Sequence, residues 1–131
     1  MTGPIVCFDK SAIHPGAVDK VKSLIGGLVA FVEANQSQMI SYAIYLSEDE
    51  SEMTVVQIHP DADSYERHME AGGPAFREFA EHIALQTIEV YGEPSEKLIR
   101  QLKRKAEMLG GGPVKMHGLQ AGFYRLSQAN R

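Results

Sequence analysis

"MISYAIYLSEDESEMTVVQIHPD", Met39 to Asp61, decides how this chain folds. Two runs rich in β-branched and aromatic residues, Met39 to Leu46 and Met53 to His59, flank the polar, acidic "SEDESE". That is the pattern of two strands joined by an exposed hairpin loop. Side chains alternate across a strand, so Ile40, Tyr42, Ile44 and Leu46 share one face, and Ser41, Ala43, Tyr45 and Ser47 the other. The first set is apolar and suits a face covered by helices. The second is small, aromatic and mildly polar, with no charge between Met39 and Leu46. A face left in open water usually carries charge, so this one suits a pocket wall or a partner. In the second run Val56 and Ile58 alternate with Val55, Gln57 and His59.

The flanking sequence supplies the other elements. "IVCF", Ile5 to Phe8, predicts a first strand, and "HPG", His14 to Gly16, punctuates a loop. From Ala17 to Asn35, residues Val18, Val21, Ile25, Leu28 and Val32 recur at helical spacing. After the hairpin, Asp63 and Glu66 have capping-box spacing for a second helix. Gly72-Gly73-Pro74 predicts a kink or a split into two short helices. "LQTIEVYG", Leu85 to Gly92, predicts a further strand. The order β-α-β-β-α-β is that of an α+β, ferredoxin-like sandwich. Beyond it, Leu98, Leu102, Ala106 and Leu109 mark an additional helix that "GGG", Gly110 to Gly112, ends. A last extended segment is expected from Val114 to Leu126, then frayed residues. The expectation is one domain over residues 1–131, with a core at 5–92 and a C-terminal helix and strand at 93–131.

Composition narrows the function classes. The 131 residues are 44% hydrophobic and 23% charged, with a formal net charge of −4. This is globular, and the charge argues against a nucleic-acid partner. No window approaches a membrane span, and no basic region with a following apolar run opens the chain. With Cys7 the single cysteine, a cytoplasmic protein is expected. The lone cysteine reads as buried packing. The five histidines (14, 59, 68, 82 and 117) form no metal-binding spacing, so no metal is expected, and His59 and His68 would meet only through tertiary folding. Lys97, Arg100, Lys103, Arg104 and Lys105 read as a solvated helix face, mainly off the apolar stripe. On the first helix Ser23, Gly26, Gly27, Ala30 and Ala34 line a narrow arc opposite its apolar stripe. Two interior glycines cost roughly 1 kcal/mol each. Close packing of another element or subunit there is one explanation, simple tolerance the other.

"HPG", the hairpin, and "DADSYERHMEAGGPAF" with its second-helix histidine together resemble the dimeric α+β barrel proteins, in their antibiotic-biosynthesis-monooxygenase-like (ABM-like) form, over residues 5–92. The resemblance implies a four-stranded antiparallel sheet with two helices on one face. It also implies a homodimer in which two copies close their sheet faces over a shared interior within reach of His68. It further implies a cavity beside that histidine.

Two readings follow. The first is a cofactor-independent monooxygenase acting on a small aromatic, phenolic or quinol molecule, in a pocket between helices and sheet. His68 is then the catalytic acid or base, and the substrate supplies the electrons, because no flavin or nicotinamide motif is visible. The second is a non-catalytic dimeric module that binds a small ligand or has a structural role. Tyr42, Tyr45, Tyr65, Gln57 and His59 are the candidate pocket residues, with Tyr91 a further tyrosine to weigh. Tyr42 and Tyr45 point to opposite faces and should not both qualify. The Trp-Asn-His set of haem-degrading relatives is not carried over, since the chain has no tryptophan. For His68 itself, an ordinary core-edge histidine bonded to backbone or water stays open.

Overall fold

In the computed structural model, which describes residues 3–125, the chain runs β1 (Ile5–Ile13), α1 (Val18–Asn35), β2 (Ser41–Leu46), β3 (Glu52–His59), α2 (Ala62–Phe79), β4 (Ile83–Tyr91), α3 (Glu96–Met108) and β5 (Val114–His117). The first six elements are the expected βαββαβ order. The sheet is ordered β2-β3-β1-β4-β5, antiparallel except for β4 with β5.

One face of the sheet is covered by the helices. It receives Ile5, Cys7, Asp9, Ser11 and Ile13 from β1 and Met53, Val55, Gln57 and His59 from β3, all buried. On β4 the inward residues change parity, from Ile83 and Leu85 to Ile88 and Val90. A register shift beside Lys10 and Ser11 accounts for this, since one extra residue flips every later side chain. The opposite face keeps Phe8, Tyr45 and Tyr91 exposed.

Several local expectations are revised. The first strand extends to Ile13, because "DKSAI" alternates buried and exposed positions along its partner strands. The cap of α2 is Asp61, whose side chain accepts from the Ser64 N–H at 2.9 Å, and not Asp63. The α2 helix also runs unbroken through Pro74. A proline inside a helix removes one hydrogen bond, and the residue before it is a glycine, without the Cβ that disfavours a helical pre-proline residue. The last strand is only four residues long, and 118–125 adds none. The expected end of that segment and the frayed residues lie outside the described residues.

The α3 helix packs Leu98, Leu102, Ala106 and Leu109 inward, as expected. Its start is capped by Ser95, which accepts from the Leu98 N–H at 3.0 Å. Beyond its end, Gly110 takes φ 114°, open to glycine at little cost. At Gly112 a Cβ would stand 2.8 Å from the Leu85 carbonyl, so only glycine lets the chain turn in to lay β5 beside β4. Of the basic residues read as a solvated face, Lys97, Arg100, Lys103 and Arg104 are exposed as expected, and Lys105 alone departs from it. It is buried, ion-paired with the buried Asp9, and its ammonium sits 3.7 Å from the centre of the Phe76 ring.

The small-residue arc of α1 is exposed, with nothing covering it among the described residues. A Cβ at Gly26 or Gly27 would meet no atom within 4 Å. Gly26→Ala should therefore raise stability by about 1 kcal/mol through helix propensity alone, read by urea unfolding. A loss of stability instead would mean that something closes over this face in the assembled protein.

Candidate functional site

The helix-covered side of the sheet is unusually polar where β2, β3 and α2 meet the end of α1. His59 ends β3, and the short turn to α2 brings Ser64, Tyr65 and His68 back over it. His59 Nδ1 lies 2.9 Å from Ser64 Oγ, and its Nε2 lies 3.0 Å from Gln57 Oε1. An amide oxygen can only accept, so Nε2 carries the proton and Nδ1 accepts from the serine hydroxyl. Tyr65 stacks on His59 with ring centres 4.3 Å apart and donates its hydroxyl to Cys7 Sγ at 2.9 Å.

His68 is fully buried in the middle of this group. Its Nδ1 donates to Gln36 Oε1 at 2.7 Å, which leaves Nε2 as a bare lone pair with no protein partner. Its ring lies 5.3 Å from that of Tyr42, 5.6 Å from His59 and 5.8 Å, edge-on, from Phe76. Gly72 makes room for that contact, since a Cβ there would come within 3.3 Å of Phe76. Three further buried polar atoms around His68 make no hydrogen bond to protein, Gln36 Nε2, Tyr42 Oη and Gln57 Nε2, and two more, Thr87 Oγ1 and Gln101 Oε1, lie elsewhere. Buried polar groups are normally paired, and each unpaired one costs about 1–3 kcal/mol. Four at one place mark a site built for something else to complete.

A cleft of about 300 Å³ opens from the surface between the end of α1 and β2, lined in part by Glu33, Gln36, Ile40 and Tyr42. Gln36 and Tyr42 thus belong both to the cleft and to the buried group around His68.

Electrostatics fix the protonation states. Burial, with help from the Lys105 and His59 charges, pushes the His68 imidazole down to about 3. Burial likewise lowers His59 to about 4, against the opposing pull of Asp61. Both rings are neutral at pH 7. Burial also pushes the Cys7 thiol up to about 12 and raises the phenols of Tyr42 and Tyr65. Asp9, buried nearby, is ion-paired with Lys105.

The sequence candidates therefore divide. His68, Tyr42, Tyr65, Gln57 and His59 converge. Tyr45 is 61% exposed on the other sheet face, outside this group. Tyr91 also lies away from it, stacked on His117 with centres 4.3 Å apart. His68 stands across the sheet from the open face, because α2 packs on the helix side. The space between two apposed sheet faces is thus not one that His68 reaches. Gln36, Ser64, Asp9 and Lys105 were not foreseen as members of this neighbourhood. His59 and His68 do meet, yet no group of three or more metal-ligating side chains occurs among the described residues.

This α+β, ferredoxin-like fold is shared with solved structures, among them proteins described as "putative antibiotic biosynthesis monooxygenase". MupZ from Pseudomonas fluorescens is similar over 97% of this chain and 93% of its own, at 16% identity and a TM-score of 0.74. A "putative antibiotic biosynthesis monooxygenase" from Caulobacter crescentus is similar over 72% of this chain and 91% of its own, at 16% identity and a TM-score of 0.61. Rv0793 from Mycobacterium tuberculosis is similar over 72% and 98%, at 15% identity and a TM-score of 0.59. No family model and no curated protein matches the chain. Identities this low speak for the fold alone.

Proposed function

We propose that the protein is a cofactor-independent oxygenase of a small phenolic or quinol molecule, bound between the helices and the sheet with its hydroxyl on His68 Nε2. The observation that carries this reading is the set of four unpaired buried polar atoms behind one cleft. Gln36 and Gln57 offer amide donors, Tyr42 a hydroxyl that donates or accepts, and His68 Nε2 an acceptor for a phenolic O–H. The chemistry balances without a further reagent. His68 takes the phenolic proton, the electron-rich phenolate delivers electrons to O2, and a new C–O bond forms on the ring. Loss of the ring hydrogen with one oxygen as water leaves a quinone. The four electrons that reduce O2 come from the substrate. A similar protein described as a "putative antibiotic biosynthesis monooxygenase" is consistent with this class of reaction.

A second copy of the chain over the open sheet face belongs to the same reading, because Phe8, Tyr45 and Tyr91 leave aromatic surface in water. A cytoplasmic location suits a chain whose one cysteine is a buried thiol.

One observation favours the alternative, a module that binds without turnover. An imidazole held at about 3 is a weak base. Oxygen uptake with a panel of quinols and naphthols, paired with calorimetric binding, separates the two. The oxygenase reading expects uptake by the wild type and a fall of roughly 10²–10⁴-fold in His68→Ala, assayed well below its melting temperature. Binding with no uptake anywhere in the panel makes the protein a module. Equal uptake by His68→Ala moves the chemistry elsewhere.

A further inference from the structure

A second cleft, of about 310 Å³, lies between α2 and α3 and shares no lining residue with the cleft that leads to Tyr42. Its apolar wall is Met69, Phe76 and Met108. Arg77 from α2 and Arg104 from α3 converge on it from opposite sides, and Lys105 lies at its floor. Neither arginine has a carboxylate within ion-pair distance among the described residues. Glu70, the one carboxylate lining the cleft, is taken by Lys97 at 3.4 Å. The Lys105 ammonium is held by Asp9. The cleft thus presents two unpaired guanidinium groups beside a thioether and aromatic wall, one from α2 and one from α3.

We propose that this cleft binds a small organic anion with an apolar body, its carboxylate or sulfonate held between Arg77 and Arg104 and its body against Met69, Phe76 and Met108. Guanidinium groups suit such anions because their donors match two oxygens at once. Methionine adapts to apolar bodies of different shape. Floor and site are joined through Phe76, which touches Lys105 on one side and meets His68 edge-on at 5.8 Å. The proposal does not depend on the oxygenase reading, since it uses none of the unpaired groups around His68.

The probe is anilinonaphthalene sulfonate, which is anionic, aromatic and fluorescent in apolar surroundings, titrated into the full chain and displaced by octanoate. We expect saturable binding to the native protein. In R77Q/R104Q the affinity should fall at least tenfold at unchanged melting temperature, and octanoate should displace the probe where octanol does not. Amide shifts on titration should centre on residues of α2 and α3. Unchanged affinity in R77Q/R104Q overturns the proposal, as does equal displacement by octanol. So does an equal loss of binding in Tyr42→Phe, which would put the probe in the other cleft. Should R77Q/R104Q prove unstable, raising salt on the wild type replaces it: weakening supports the guanidinium contact, and indifference overturns it.

Discussion

Asp9→Ala should destabilise this protein by about 4 kcal/mol at pH 7, and Lys105→Met by a similar amount. Each substitution strands one buried charge. The Lys105 and Asp9 side chains are 3% and 4% exposed, so water cannot take over from the lost partner. A stranded group escapes by neutralising. Starting from unperturbed values, removing a lysine proton or adding a carboxylate proton at pH 7 costs roughly 4–5 kcal/mol. That sets a ceiling on each single loss. It also gives each a signature: Lys105→Met should hurt less at pH 5, where a carboxylate neutralises cheaply, and Asp9→Ala less at pH 9. The double variant Asp9→Leu, Lys105→Met removes both charges and should recover most of the loss, since apolar replacement of a buried pair is often close to neutral. Urea unfolding of the four proteins at three pH values reads the cycle. Additive single losses, or singles without pH dependence, would show that the pair is not coupled. Because a domain of this kind holds only about 5–15 kcal/mol in all, stranding either charge removes a large share of the total stability.

Part of that contact was legible in the sequence. At about 100° per residue, Leu98, Leu102, Ala106 and Leu109 span roughly 80°, and Lys105 falls only about 20° outside that arc. It sits three residues after Leu102 and four before Leu109, inside the face that packs. Grouping it with Lys103 and Arg104 by charge hid this. Asp9 was legible in a weaker way. Once β1 is extended past Phe8, Asp9 shares a face with Ile5 and Cys7, and a carboxylate there demands a cation.

Strand and helix identities came readily from the sequence, because alternation and helical spacing are local signals. The site was half legible for the same reason. Tyr42, Gln57 and His59 lie on strand faces that alternation assigns, and Tyr65 and His68 on a helix face that spacing assigns. Gln36 was not legible. It follows the end of α1, where no periodicity acts, and reaches His68 only because the α1–β2 connection folds back. Ser64 was missed because the cap was assigned to the pair Asp63 and Glu66. With Asp61 satisfying the Ser64 N–H instead, the serine hydroxyl is free for His59. The aromatic Tyr45 was placed on the correct side of its strand, and its exposure follows from that side being the open one.

The two buried histidines should make the protein sensitive to acid well above the pH at which carboxylates usually matter. His68 is held at about 3 and His59 at about 4 in the folded chain, whereas an exposed histidine titrates near 6.5. Below pH 6.5 the unfolded chain therefore takes up two protons that the folded one refuses. Stability is fully present above about 6.5 and falls as the pH drops, until the folded state itself is protonated near 4 and then 3. By pH 5 the loss amounts to about 2 kcal/mol for each ring. Replacing His68 with Gln should flatten the slope of stability against pH between 6.5 and 5 by about half, whatever it does to stability at pH 7. Urea unfolding at closely spaced pH values measures this, and an unchanged slope would mean that His68 is hydrated in solution. The same neutrality constrains the chemistry. If Nε2 is a bare lone pair at every pH where the protein is folded, binding of a phenol should stay level from pH 8 to 5.5 while stability declines. A binding curve that titrates near 6 would require an imidazole that stays hydrated, against the full burial of His68 in the folded chain.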